Sequence, residues 1–185
     1  MTAAELIIIA VGVSMDAFAV SVCKGLSVQN LRMRHCMSAA LWFGGFQALM
    51  PLTGYFLGVA FADFVSDVDH WIAFILLGII GFNMLRDSFK DEDCTHDPDF
   101  SVRTMAAMAV ATSIDALAVG VSFAFLRVNI WLAVILIGIV TALFSGIGVV
   151  VGNVFGSRYK SKAEFTGGLI LVAMGVRILL EHTVL

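Results

Sequence analysis

Ser14-Met15-Asp16-Ala17-Phe18-Ala19-Val20 and Ser113-Ile114-Asp115-Ala116-Leu117-Ala118-Val119 are two versions of one phrase, each setting a single aspartate in a long run of apolar and small residues. Runs of that length read as helices crossing a bilayer. A carboxylate at the middle of such a helix costs on the order of 3 kcal/mol to insert, so it is expected to face a polar cavity and work there. The repetition predicts an internal duplication as well as a membrane fold.

The surrounding composition agrees. The 185 residues are 60% hydrophobic and 14% charged, with a mean hydropathy of +0.98, which marks an integral membrane protein rather than a soluble domain. A net charge of -3, with 11 scattered Lys and Arg, lacks the basic face a nucleic acid needs. Cys23, Cys36 and Cys94 are odd in number and widely spaced, so they are expected as free thiols rather than a zinc site or disulfide framework. The N-terminal apolar run has neither a basic leader nor an A-x-A site and is expected to be retained as a span.

Six runs can each cross about 30 Å of hydrocarbon as a helix: 4–26, 38–62, 70–88, 104–126, 129–152 and 164–183. Continuous apolarity excludes a barrel's alternation, so the expected fold is all-α, with six transmembrane helices. Nine of the 11 basic residues fall in the first, third and fifth connections: Lys24, Arg32, Arg34, Arg86, Lys90, Arg103, Arg158, Lys160 and Lys162. By the positive-inside rule these connections are cytoplasmic and both termini lie outside.

The duplication extends past the aspartates. Gly44 to Gly54, with Gly58, aligns with Gly138 to Gly148 and Gly152, which sets Gln47 against Thr141; Gly81, Asn83 and Asp87 align with Gly175, Arg177 and Glu181. The chain thus divides into three-helix halves, 1–88 and 104–185, joined by an acidic cytoplasmic linker over 89–103. An odd number of spans per half makes the second half an inverted copy of the first, the architecture of transporters with a midmembrane site between repeats. Small residues at helical spacing (Ala10, Ser14, Ala17, Ser21; Ala109, Ser113, Ala116, Gly120) provide smooth packing stripes on the first and fourth spans.

Two carboxylates close together in low dielectric require a proton or a cation between them. Oxygen donors near them in sequence are Ser14, Gln47, Thr53, Thr112, Ser113, Thr141, Ser145 and Asn83, a set suited to hard cations such as Mn²⁺, Mg²⁺ or Ca²⁺. No nucleophile, base and orienting group converge, so an enzyme is not expected. Readings that remain open are a structural ion pair with Arg177, a metal-free proton relay, an exporter of a small cationic metabolite such as a basic amino acid, and a non-transport membrane subunit.

Met15-Asp16-Ala17-Phe18-Ala19-Val20-Ser21, Phe43-Gly44-Gly45-Phe46-Gln47 with Met50-Pro51-Leu52-Thr53-Gly54, Ala111-Thr112-Ser113-Ile114-Asp115-Ala116-Leu117-Ala118-Val119-Gly120, and Lys162-Ala163-Glu164 with Gly167-Gly168 resemble the bacterial manganese efflux pump family of the MntP type, over essentially the whole chain. The resemblance implies a six-helix exporter of Mn²⁺ in the bacterial cytoplasmic membrane, related to the lysine exporter superfamily, with Mn²⁺ as cargo and no resident cofactor. It makes Asp16 and Asp115 the candidates for metal coordination. From the residues themselves, Gln47, Ser14, Thr112, Ser113, Thr141 and Asn83 are the further candidate ligands, and protons are candidate counter-ions. Some relatives carry an acidic residue where this chain has Gln47, whose neutral amide lowers the negative charge of the site.

Overall fold

The computed structural model describes residues 3–28, 30–62, 99–126 and 128–155, together with positions 74, 75, 78, 79, 82, 165, 169, 172 and 176. Four helices carry the described fold: α1 (Ala3–Ser27), α2 (Met33–Ala62), α3 (Val102–Phe125) and α4 (Ile130–Phe155). They match the first, second, fourth and fifth expected spans, and no strand occurs among the described residues. Within the third and sixth expected spans the described positions are helical, and the remainder, including Asn83, lies outside the described residues. Three of the four helices, over Ala4–Ser27, Val102–Phe125 and Ile130–Val154, are long and apolar enough to cross a membrane.

Helix α2 begins at Met33, five residues before the expected membrane boundary. Backbone hydrogen bonding continues a helix past the hydrocarbon edge, and the exposed Arg34 and half-buried His35 sit on this extension. Inside α2 is Pro51, which has no N–H to give the carbonyl of Gln47 one turn earlier. Helix α3 starts on a built cap: Ser101 Oγ accepts from Thr104 N at 3.4 Å, and the Asp99 carboxylate accepts from Ser101 N at 2.8 Å and Thr104 Oγ1 at 2.7 Å.

Packing crosses between the two halves. α1 lies along α4 and α3 lies along α2, while α2 and α4 also meet each other. A side chain at Gly148 would strike Phe18 and Ser21 of α1, and one at Gly152 would strike the Val22 carbonyl, so α1 and α4 run parallel. Gly54 meets Leu117 and Gly58 meets Val121 in the same way, making α2 and α3 parallel. Gly44 against Ala142 and Gly138 against Ala48 run in reverse order, so α2 and α4 are antiparallel.

These contacts are matched. The offset that carries Asp16 to Asp115 carries Phe18 to Leu117 and Val22 to Val121; the offset that carries Gln47 to Thr141 carries Gly54 to Gly148 and Gly58 to Gly152. Glycine at these places lets backbones touch, the way membrane helices associate when lipid offers no hydrophobic drive. Apolar packing fills the rest, with Leu6, Ile9, Ala10 and Val13 of α1 in one cluster with Ala116, Val119 and Phe123 of α3 and Ile137 of α4.

One sequence expectation changes at the basic end of α1. Cys23 is disulfide-bonded, whereas Cys36 is a free thiol; pairing follows spatial approach, which linear spacing does not reveal. Lys24, counted above with the first connection, is buried in the last turn of α1, where Nζ donates to the Asp99 carbonyl at 2.9 Å and lies 5.7 Å from the Phe100 ring centroid. The chain entering α3 is thereby strapped beneath α1.

Candidate cation site

The polar interior is built around Gln47. Its side chain is fully buried at the middle of α2, and a buried amide needs partners for both its ends. Nε2 donates to the Val13 carbonyl of α1 at 2.8 Å, and Oε1 accepts from Ser113 Oγ of α3 at 3.0 Å. One amide therefore ties the two aspartate-bearing helices together, three residues before Asp16 and two before Asp115.

Ser113 Oγ also lies 2.5 Å from the Ala109 carbonyl. A hydroxyl has one proton, so it serves either the amide or its own helix. When it turns to Ala109, Gln47 Oε1 is left as an open oxygen. Pro51 cannot donate to the Gln47 main-chain carbonyl, so this oxygen lacks its usual donor one turn on.

The matching position in the other half makes the matching contact. Ser14 Oγ lies 2.6 Å from the Ala10 carbonyl and 2.7 Å from Thr141 Oγ1, and either hydroxyl can be the donor of the second contact. Ser14 and Thr141 are fully buried. Ser14 with Thr141 and Ser113 with Gln47 are thus equivalent pairs, each joining the first helix of one half to the second helix of the other.

Asp16 and Asp115 are each half-buried. Each lies two residues beyond its serine, about 3 Å along the helix axis and about 200° around it, so the carboxylates share the level of the network but leave their helices on another flank. Thr112 is half-buried and donates to its own helix, at Met108 and Ala109. Thr53 is exposed and bonds back likewise. The structure thus joins Gln47 to Ser113 and Ser14 to Thr141, while Thr112 and Thr53 stay engaged with their own backbone. Among the described residues no group of three or more His, Cys, Asp or Glu side chains converges; a cation here would draw on amide, hydroxyl and carbonyl oxygen, which suits a hard ion.

Sequence reasoning did not single out Glu5, buried in the first turn of α1, where the helix N-terminus favours a carboxylate. It also missed what surrounds the strap at the other end. His35 packs against Phe100 with ring centroids 4.9 Å apart and planes tilted by 37°, and burial, followed by the charges of Arg34 and Arg32, holds its pKa below the usual histidine value. The Ser101 and Thr104 hydroxyls hold the Asp99 carboxyl below the usual carboxylate range.

The family model described as "Putative manganese efflux pump" matches residues 30–179 of this chain. The chain belongs to this family. A protein of Acetivibrio thermocellus named "Putative manganese efflux pump MntP" is 55% identical over 183 residues, covering 98% of this chain and 92% of its own length. Same-named proteins of Mannheimia succiniciproducens, 52% identical with 99% and 98% covered, and Campylobacter jejuni, 54% identical with 96% of both covered, are similar. No solved structure matches. Family membership and the apolar helices make this a multi-pass membrane protein of an efflux pump family.

Proposed function

We propose that this chain exports Mn²⁺ across the bacterial cytoplasmic membrane by alternating access, with the cation held at midmembrane between Asp16 and Asp115. The observation that carries the reading is the Gln47 amide, which bridges Val13 and Ser113 and so joins α1 to α3 at the level of both aspartates. The names of the relatives support manganese as cargo and outward direction. The matched contacts of α1–α4 and α3–α2 support two inverted three-helix repeats, 1–88 and 104–185, linked through 89–103.

Mn²⁺ arrives from the end bearing Lys24, Arg32 and Arg34, which the positive-inside rule makes cytoplasmic, leaving both termini outside. The two carboxylates neutralise it, and Gln47, Ser113, Ser14, Thr141, Thr112 and Asn83 supply further oxygens. After release outward, protons neutralise the vacated carboxylates, which makes the cycle a proton antiport. The chain is a transporter, not an enzyme.

Flux into proteoliposomes containing only this protein, compared for Mn²⁺, Mg²⁺, Ca²⁺, Zn²⁺ and lysine with and without a pH gradient, tests the proposal. Mn²⁺ flux that is lost in Asp16→Asn and Asp115→Asn is expected. Lysine flux without Mn²⁺ flux would favour a cationic metabolite, and no flux of either would favour a non-transport subunit.

A further inference from the structure

The offset that pairs Gln47 with Thr141 pairs α2 with α4 along their length, so each feature beside one helix has a counterpart position beside the other. At one place the two halves differ. An open groove of about 410 Å³ lies between the start of α2 and the end of α4; Met33, Cys36, Met37 and Ala40 line it from α2, and Gly146 and Val150 are among its lining residues from α4. Every residue lining it is apolar or small. It is deepest at Gly146, where an added Cβ would meet only the Cys36 carbonyl, at 3.9 Å.

The counterpart positions carry larger side chains. Cys36 matches Ile130, Ala40 matches Val134, Gly146 matches Leu52 and Val150 matches Phe56. Ile130 and Val134 are buried in the main apolar cluster, and Leu52 packs against it. In all four pairs the smaller residue stands at the groove. Unfilled space forfeits dispersion contacts along its walls, so four reductions at one place describe room for an apolar occupant.

The mouth of the groove is basic. Met33 begins α2, and Arg32 and Arg34 on either side of it in the chain are both exposed. The first turn of α2 holds no acidic residue, so the positive end of the helix adds to their field. Arg34 also borders Asp99, whose carboxylate is engaged by the hydroxyls of Ser101 and Thr104. From Met33 to Ala40 the groove follows α2 for about 10 Å, some two-thirds of the roughly 15 Å of hydrocarbon in one leaflet. This is the end of the bundle that the positive-inside rule makes cytoplasmic, where the leaflet surface is rich in anionic lipid.

We infer that the α2–α4 groove holds an acyl chain of an anionic phospholipid from the cytoplasmic leaflet, with its phosphate on Arg32 and Arg34. The groove supplies the place for the chain, and the two guanidinium groups select the headgroup. The inference uses the orientation proposed above and not the cargo. Because the counterpart positions are filled by Ile130, Val134, Leu52 and Phe56, the lipid braces α2 against α4 at the cytoplasmic end alone.

The test is native mass spectrometry of the full-length protein, stripped of lipid in detergent and titrated with phosphatidylglycerol or with phosphatidylcholine of the same acyl chains. One phosphatidylglycerol per chain is expected to bind at a concentration ten- to thirtyfold below that needed for phosphatidylcholine, the scale of two basic residues at a membrane surface. Arg32→Gln with Arg34→Gln is expected to bring the two lipids within threefold of each other. Ala40→Val with Gly146→Leu, which installs the counterpart residues, is expected to lose both lipids. Cys36 lines the groove as a free thiol, and its alkylation by N-ethylmaleimide is expected to slow at least fivefold when phosphatidylglycerol is bound. Equal binding of the two lipids would mean an unselective annulus and overturn the inference, as would a preference that survives loss of both arginines. Unchanged Cys36 alkylation with lipid bound would place the lipid elsewhere, and a dimer dissociated by Ala40→Val with Gly146→Leu would make a second copy the occupant; either overturns it. Should that double variant fail to fold, the arginine and Cys36 arms decide. No arm reads Mn²⁺ flux, so failure of the proposed export and failure of the lipid site are separate results.

Discussion

Replacing Gln47 with Leu separates a structural cross-link from a ligand. The substitution deletes one hydrogen bond to the Val13 carbonyl and one from Ser113 Oγ. Neither partner is stranded: the Val13 carbonyl keeps its bond within α1, and Ser113 keeps the Ala109 carbonyl. Interhelical side-chain bonds in membranes average about 0.6 kcal/mol, so the pair is worth about 1 kcal/mol, with Leu filling most of the space. The folded fraction should hardly change. If Gln47 Oε1 serves the cation directly or orients the groups that do, Mn²⁺ affinity should fall about 10- to 100-fold. Concentration-dependent Mn²⁺ uptake in proteoliposomes, alongside thermal unfolding in detergent, reads both quantities. Uptake within twofold of the parent would refute a role at the site. A stability loss above about 4 kcal/mol would refute the accounting of partners. Gln47→Glu provides the opposite perturbation: once ionised it cannot donate to Val13, so its half-saturation should depend more steeply on pH than that of the parent.

Gly152→Val and Gly58→Val should each destabilise the protein by about 3 kcal/mol, because their side chains meet the carbonyls of Val22 and Val121 on rigid helices; Gly45→Val, with nothing within 4 Å, should melt like the parent. The strap beneath α1 should weaken in mild acid. His35 has a depressed pKa, so its contribution is present above the ordinary value near 6.5 and is lost as pH falls through the lower folded value; Asp99, also depressed, contributes above about 3.8 and fails only in stronger acid. Between pH 7 and pH 5, the protection factors of the amides at residues 99–101, corrected for the slower intrinsic exchange at lower pH, should therefore fall through His35 alone, and protection factors constant to pH 5 would count against the His35 contribution.

The helices were legible because their cause is local: a long apolar run has no other way to satisfy its backbone in lipid. The sequence alignment that sets Gln47 against Thr141 also puts side by side two positions whose contacts, Gln47 with Ser113 and Thr141 with Ser14, it could not name. Which hydroxyl meets which partner depends on rotamers and helix rotation, so Thr112 was grouped with Ser113 although it bonds only its own backbone. Ser21 looked like part of a packing stripe for the same reason; only three-dimensional accounting exposes an oxygen without a partner. The pairing of Cys23 and the burial of Lys24 were not legible because a residue at a span's end can turn inward as easily as outward.

The crosswise packing of α1 on α4 has a consequence for biogenesis. α1 is complete at Ser27, but its partner ends at Phe155. At roughly 5–20 residues per second of synthesis, α1 waits on the order of 10 s in the bilayer, carrying Glu5 and Asp16, before the seam that receives it exists. Assembly is thus a late event, and a nascent chain stalled before α4 should be a substrate for membrane quality control rather than a half-built transporter.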